Sequence, residues 1–404
     1  MCPAVPRARA TFSAIAIAVF AISFTTAGAA TPGDPPGTPL EYDPHSALRL
    51  DPALSPFAAE DAILAYLGDP EAHAGTGPEY EIITLSNLAE ACVHRVVGTE
   101  DDDPAWNLAG ACTHRVAKIA IDRFMGGDPE GKLPGDTLLL SHLVIVLASA
   151  DHAERSGAWD NATHDLLARA ADRLEARLLA DPDAIPPSFT ADTRRWPADA
   201  AASIYALWLA EHLAPADHTD SRWKEPARRF VAWSAQRGLA GDWGLPISEL
   251  TGADPAASLP RGCALSWTIR YQAAWDPSTA KRLYDRYRAL FFVRMPVAGF
   301  REYPPAVDRP ADNDSGPIVA GIGAAASAFG VGAARLVGDT ETFSQLRASQ
   351  ALVTAIATGG PAKNGPASAF ATTAIPGGEV ADDVLARSIA VNQAALVPWF
   401  KDAK

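Results

Sequence analysis

Clustered basic charge is the first thing this chain lacks. Its 404 residues carry 34 Lys and Arg against 48 Asp and Glu, a formal net charge of −14. Nucleic acids and anionic membrane surfaces are both held by grouped Lys and Arg, so neither is an expected partner. Val, Ile and Thr alternating with polar residues are scarce, which excludes a large β-sandwich or parallel sheet. Cysteine is limited to four residues, and Cys2 lies in a removable leader, so at least one of the remaining three is unpaired. No apolar run combines the length and composition of a membrane span. What is present is abundant alanine and a 48% hydrophobic composition, ample for a large core.

The N-terminus reads as an export signal. Arg7 and Arg9 precede an apolar run from Ala10 to Phe24, and Ala27-Gly28-Ala29 supplies small residues at a cleavage site. Residues 1–29 are therefore expected to be a signal peptide, with a secreted or periplasmic mature chain and no membrane association after cleavage. There is no Leu-x-x-Cys ending, so a lipoprotein is not expected. Residues 30–56 are rich in Pro and Gly and read as an extended lead-in, and residues 57–404 as a single domain.

A repeated helical hairpin organises that domain. Apolar, small-residue helices are predicted to begin near Glu79, Asp136, Pro197, Pro260, Asp314 and Asp382, a spacing of roughly 60 residues. Between them lie charged, one-sided helices at 104–124, 159–180, 219–236, 277–294 and 339–357, with another near 58–67. An all-apolar helix is surrounded by protein, whereas a one-sided helix faces water. Six such pairs, about twelve helices, predict an all-α (α/α)6 toroid with the apolar helices as its inner ring. An ordinary α-solenoid is the alternative, although its units are usually shorter. The connections into the inner helices are long (181–196, 238–259, 295–313 and 359–381), and those leaving them are mostly short. Long loops in a compact domain are usually functional, so the site is expected on the rim where the inner helices begin.

Three clusters sit at those helix starts. Thr193 to Asp199 contains Trp196 and Asp199, the latter in a first turn where it could also simply offset the helix dipole. Leu259 to Trp267 places Arg261 where it could bind a carboxylate of a ligand or of a neighbouring loop. The richest cluster runs from Gly299 to Pro317 and holds Arg301, Glu302, Tyr303, Asp312 and Asp314. Neighbouring carboxylates raise one another's pKa, which suits acid–base work, although Asp314 would also serve as a helix N-cap. His142 lies inside the apolar helix at 137–144, facing either a cavity or a packing seam. The candidate catalytic residues are therefore His142, Asp312, Asp314 and Glu302. The candidate substrate contacts are Trp196, Asp199, Trp243, Arg261, Trp267, Arg301 and Tyr303.

Two patterns point to less than they suggest. Gly321-Ile322-Gly323-Ala324-Ala325-Ala326 matches a dinucleotide fingerprint, but it is expected to follow an Asp-rich turn and open a closely packed helix rather than a βαβ unit. The echo of Asn87–Val96 in Asn107–Val116 repeats Cys-x-His. On a helix, residues i and i+2 diverge too far to share a zinc ion easily, which leaves a Cys92–Cys112 disulfide or two buried thiols. No NAD, flavin or catalytic zinc is expected.

Four stretches resemble the linalool dehydratase/isomerase-like family. They are the helix around Ser141-His142-Leu143, the helix Ala200–Trp208, the run from Ala264 through Trp275-Asp276-Pro277 to Tyr287, and Arg301-Glu302 through Asp312 to Gly338-Asp339. The resemblance covers roughly residues 105–350. It implies an exported (α/α)6 fold and cofactor-free acid–base addition or removal of water at an allylic alcohol, with His142 at the position of a catalytic His. Phe189 and Ala198 stand where that family has its two site cysteines, and its N-terminal Asp and Tyr have no counterpart beyond a weak echo at Ser55-Pro56-Phe57, so linalool itself is not the expected substrate. Three functions are compatible with these features. The first is a lyase or hydratase of this type acting on a small molecule. The second is a carbohydrate-active toroid enzyme, in which rim aromatics stack on sugar rings. The third is a non-catalytic exported binding protein. A homo-oligomer is compatible with each.

Overall fold

Helices form where the apolar and one-sided segments predict them. In the computed structural model the described residues are 64, 67, 77–97, 99–100, 103–154, 161–212, 221–250, 259–294, 297–312, 314–358, 389, 392–393 and 396, all within one unit running from Leu50. The expected signal peptide, the lead-in, the loop at 359–381 and most of the helices near 58–67 and Asp382 lie outside them. Among the described residues there are ten helices. The apolar ones are α1 (Pro78–His94), α3 (Thr137–Ala153), α5 (Pro197–His212), α7 (Gly262–Trp275) and α9 (Ala324–Leu336). The charged ones are α2 (Ala105–Met125), α4 (Asn161–Ala180), α6 (Lys224–Gln236), α8 (Pro277–Phe291) and α10 (Thr340–Thr358).

Local chemistry explains several of these boundaries. Proline opens α1, α5 and α8, where its missing N–H costs nothing. The Asp276 carboxylate caps α8 by accepting from the Thr279 N–H at 3.0 Å. Gly126, at φ 68°, ends α2 in the left-handed conformation that glycine adopts freely.

The two helix types bury different amounts of themselves. In α5 only Asp199, Glu211 and His212 escape full burial. In α8 the buried residues are Ala280, Tyr284, Tyr287 and Phe291, a single stripe. The apolar helices pack in succession, α1 on α3, α3 on α5, α5 on α7 and α7 on α9. Each charged helix lies against a hairpin neighbour: α2 on α1 and α3, α4 on α3 and α5, α6 on α5, α8 on α7, and α10 on α9. One apolar cluster spans α1 to α7, and a second joins α7, α8 and α9 around Phe300. Close approach there depends on glycine, since a Cβ on Gly330 would lie 2.5 Å from the Phe300 ring.

Two details differ from expectation, and one open alternative is decided. The fifth apolar helix starts at Ala324 rather than near Asp314, so Asp314 is not its N-cap. The ten residues before it hold β3 (Ile318–Val319) and β4 (Ile322–Gly323), an antiparallel hairpin turned at Ala320-Gly321. A second hairpin pairs β1 (Phe292–Val293) with β2 (Gly299–Phe300). The incoming loop supplies backbone partners that a helix there would forgo: Arg301 bridges to Ile322, and the Glu302 N–H donates to the Gly321 carbonyl at 3.1 Å. The glycine fingerprint therefore does follow a strand, but one in an antiparallel hairpin and not in a βαβ unit. Finally, Cys92 and Cys112 are disulfide-bonded, joining α1 to α2. Their histidine neighbours turn elsewhere; His114 lies 3.4 Å from Glu154. No group of three potential metal ligands occurs among the described residues, and no described helix is long and apolar enough to cross a membrane.

The disulfide closes a short loop between residues 20 apart in sequence. Replacing both cysteines with alanine should lower the unfolding free energy by about 2–4 kcal/mol, read from urea titration. An unchanged midpoint would show that the bridge is not formed in solution.

Candidate active site

The starts of α1, α5 and α7 bring Glu79, Asp199 and Cys263 towards the segment 301–314, and the centre of this mouth is Arg261. Its Nε donates to Glu302 Oε1 at 2.9 Å and its terminal nitrogen to Asp312 Oδ1 at 2.7 Å. Glu302 is fully buried, and it also accepts from the Cys263 N–H at 3.2 Å and the Cys263 thiol at 3.0 Å. The backbone reinforces the joint, with the Gly262 N–H donating to the Glu302 carbonyl at 2.7 Å. Only glycine fits at 262, because a Cβ would stand 2.0 Å from the Arg301 carbonyl oxygen. Tyr303 lies beside the guanidinium, 5.6 Å from its ring centroid.

The carboxyl groups here differ in environment. Burial pushes Glu302 up, against the opposing pull of Arg261 and Cys263. Burial also pushes Asp312 up, but its bonds to Arg261 and Ser315 outweigh that and hold it below the usual range. Asp314 is raised by loss of solvent around the carboxyl and then by the charge of Asp312, with Arg261 and Arg194 opposing. Asp199 is raised furthest, to about 7; burial dominates, the Ser188 hydroxyl opposes by donating at 2.6 Å, and Asp314 adds repulsion. The Cys263 thiol is pushed well up by burial and by the charge of Glu302, so it stays protonated.

Below the mouth, the next layer holds His142 and Trp267, with ring centroids 5.7 Å apart. His142 Nδ1 is 2.7 Å from the Ser86 hydroxyl, and Ser141 of the same helix meets Ser203 of α5 at 2.7 Å. His142 Nε2 and Trp267 Nε1 are buried and make no hydrogen bond to the described residues. A deeper layer is a charged network. Glu90 accepts from Tyr205 at 2.6 Å, from Asn392 at 3.0 Å and from Arg270, which lies 4.0 Å from the Tyr271 ring centroid.

The sequence candidates thus fall into three groups. Arg261 meets Glu302, Asp312 and Tyr303, and Asp314 and Asp199 belong to the same electrostatic cluster. Trp196 flanks it, in edge contact with Phe189 and below Arg194. His142 and Trp267 lie deeper, in the core, where Trp267 packs edge-on against Phe329 and is not a rim platform. Burial and then the charge of Arg270 lower the pKa of His142 to about 3, which keeps its ring neutral at ordinary pH. Trp243 sits instead in a short turn whose carbonyl accepts from Arg286 on α8. Arg301 points away from Glu302, as alternation along an extended segment requires. Cys263 was not singled out in the sequence; its place directly after the Arg261-Gly262 helix start was the available signal.

No described protein family matches this chain, and no curated protein is detectably similar to it.

Asp199 should leave a signature in stability. Its ordinary value is 3.8, so between pH 3.8 and about 7 the folded chain keeps a proton that the unfolded chain releases. Stability therefore falls as pH rises through this window and levels off above it. Urea titrations across the window should show a shallower slope for Asp199→Asn than for wild type. Identical slopes would mean that Asp199 titrates normally.

Proposed function

We propose that this protein is an exported, cofactor-independent acid–base enzyme that removes water from, or adds it to, a small alcohol. Its architecture is read as an (α/α)6 toroid of the linalool dehydratase/isomerase-like kind, with the site at the mouth formed by the inner-helix N-termini. The observation that carries this reading is Asp199, a carboxyl raised to about 7 at that mouth beside a second raised carboxyl, Asp314. Such a group holds a proton near neutrality and can give it up. The succession of apolar helices, each packed on the next, supports the ring.

In this reading Asp199 protonates the departing hydroxyl, so the C–O bond breaks and water leaves. The Asp314 carboxylate takes a proton from the adjacent carbon, and the C–H electron pair becomes the double bond. Hydration is the reverse. Asp314, partly desolvated at its carboxyl but still reaching the surface, can return its proton to solvent, while Asp199 is reloaded. Glu302 and Asp312 are positioning residues, since both are committed to Arg261.

His142 acts as a neutral polar contact. The Ser86 hydroxyl lies 2.9 Å from the Ile83 carbonyl and donates to it, so its oxygen accepts from His142 Nδ1–H and leaves Nε2 as an acceptor. With the indole N–H of Trp267, that offers one acceptor and one donor to a hydroxyl or a water.

The test is to incubate purified protein with allylic and tertiary alcohols, with the corresponding alkenes, and with oligosaccharides. Conversion of an alcohol or an alkene is expected, with activity falling as pH rises past about 7. Asp199→Asn should reduce the rate by about 10²–10⁴ while the protein stays folded. Turnover of oligosaccharides alone, or wild-type rates from Asp199→Asn, would overturn the proposal.

A further inference from the structure

A second cavity lies on the other side of the 301–303 segment from Glu302. Its volume is about 370 Å³, within the range of small-ligand sites. Arg301, Tyr303 and Arg309 line it together with Asp308, and Pro304, Val307 and Ile318 give it apolar walls. Neither arginine forms an ion pair with a described residue, although almost every other guanidinium around the mouth is paired. Arg261 binds two carboxylates, Arg194 binds Asp192 and Arg195 binds Asp181.

The backbone around the cavity is built to hold this shape. Arg301 is pinned on both sides, its N–H donating to the Phe291 carbonyl at 2.9 Å and its backbone bridging to Ile322. The guanidinium lies against Gly321, where a Cβ would come within 2.9 Å of it. Gly321 is at φ 79°, and two alanines on the cavity wall, Ala306 at φ 70° and Ala320 at φ 51°, also hold left-handed conformations. Residues other than glycine rarely adopt these, and such strain tends to cluster where loops clamp ligands.

We propose that this cavity binds a small organic anion, its carboxylate or phosphate held by Arg301 and Arg309 and its carbon chain laid on Pro304, Val307 and Ile318. Two guanidinium groups against one aspartate leave the site positive, and a planar fork matches an oxyanion well. The apolar walls favour a ligand with carbon attached to the charge over a bare ion. The site is independent of the acid–base reading, because it lies across the strand from Glu302 and uses neither Asp199 nor Asp314.

Calorimetric titration of the full chain with butyrate, acetate and inorganic phosphate tests this. Saturable binding of butyrate is expected, several-fold tighter than that of acetate because its extra carbons reach the apolar wall. Arg301→Gln and Arg309→Gln should each weaken it by about tenfold or more, as expected for loss of a charged hydrogen bond. Arg309 is exposed, so its variant reports on binding even if Arg301→Gln fails to fold. Binding of phosphate with none of butyrate would overturn the assignment to an organic anion. Absence of saturable binding by any of the three, or undiminished binding in the Arg309 variant, would overturn the site.

Discussion

A carboxylate sealed from solvent must be met by donors, and Glu90 imposes that demand on the middle of this protein. Tyr205 from α5, Arg270 from α7 and Asn392 from the C-terminal region all converge on it. Stranding such a charge by removing one partner typically costs about 3–5 kcal/mol, far more than one apolar contact. The network therefore sets which faces of α1, α5 and α7 can meet. Once Arg270 faces Glu90, helical spacing places Trp267 and then Cys263 on the same side of α7, one and two turns nearer the mouth. The polar layers above follow from that registration.

The mouth repeats the same physics around Glu302. One guanidinium serves two carboxylates from the 301–315 segment, and a thiol and a backbone N–H complete the shell of Glu302. This clamps a long connection onto the start of α7, where Gly262 allows the two backbones to touch. The consequence for chemistry is a division of labour. Glu302 and Asp312 are spent on structure, and Asp199 and Asp314 are left as the carboxyls whose protons are loosely committed. A site crowded with acidic residues is thereby reduced to two candidates, one of them on a helix the loop only faces.

Much of the fold was legible because the helix code is local. Alternation of apolar and one-sided segments marked α1 to α8 and α10 within a few residues of their ends, and the long connections do lead into the starts of α5, α7 and α9. The misread elements share a cause. Residues 318–323 looked like the start of an apolar helix, yet their backbone groups found partners in the 299–302 segment, a pairing invisible at short range. Trp243 belonged to a loop of the right length, but its turn packs beside α8. His142 was recognised as an inner-helix histidine, while its neutral state depends on burial and on Arg270, 128 positions away, and the orientation of its ring on a hydrogen bond to Ser86, 56 positions away.

By itself, then, the sequence determined a mostly helical chain, the two helix classes and the approximate helix boundaries, because burial pattern, capping and turn chemistry act over a few residues. Tertiary structure decided how charge is distributed among the residues gathered there. Whether a carboxyl is an anchor like Glu302, a depressed anion like Asp312 or a proton holder like Asp199 depends on desolvation and on donors from distant elements. Those quantities exist only once the helices have packed.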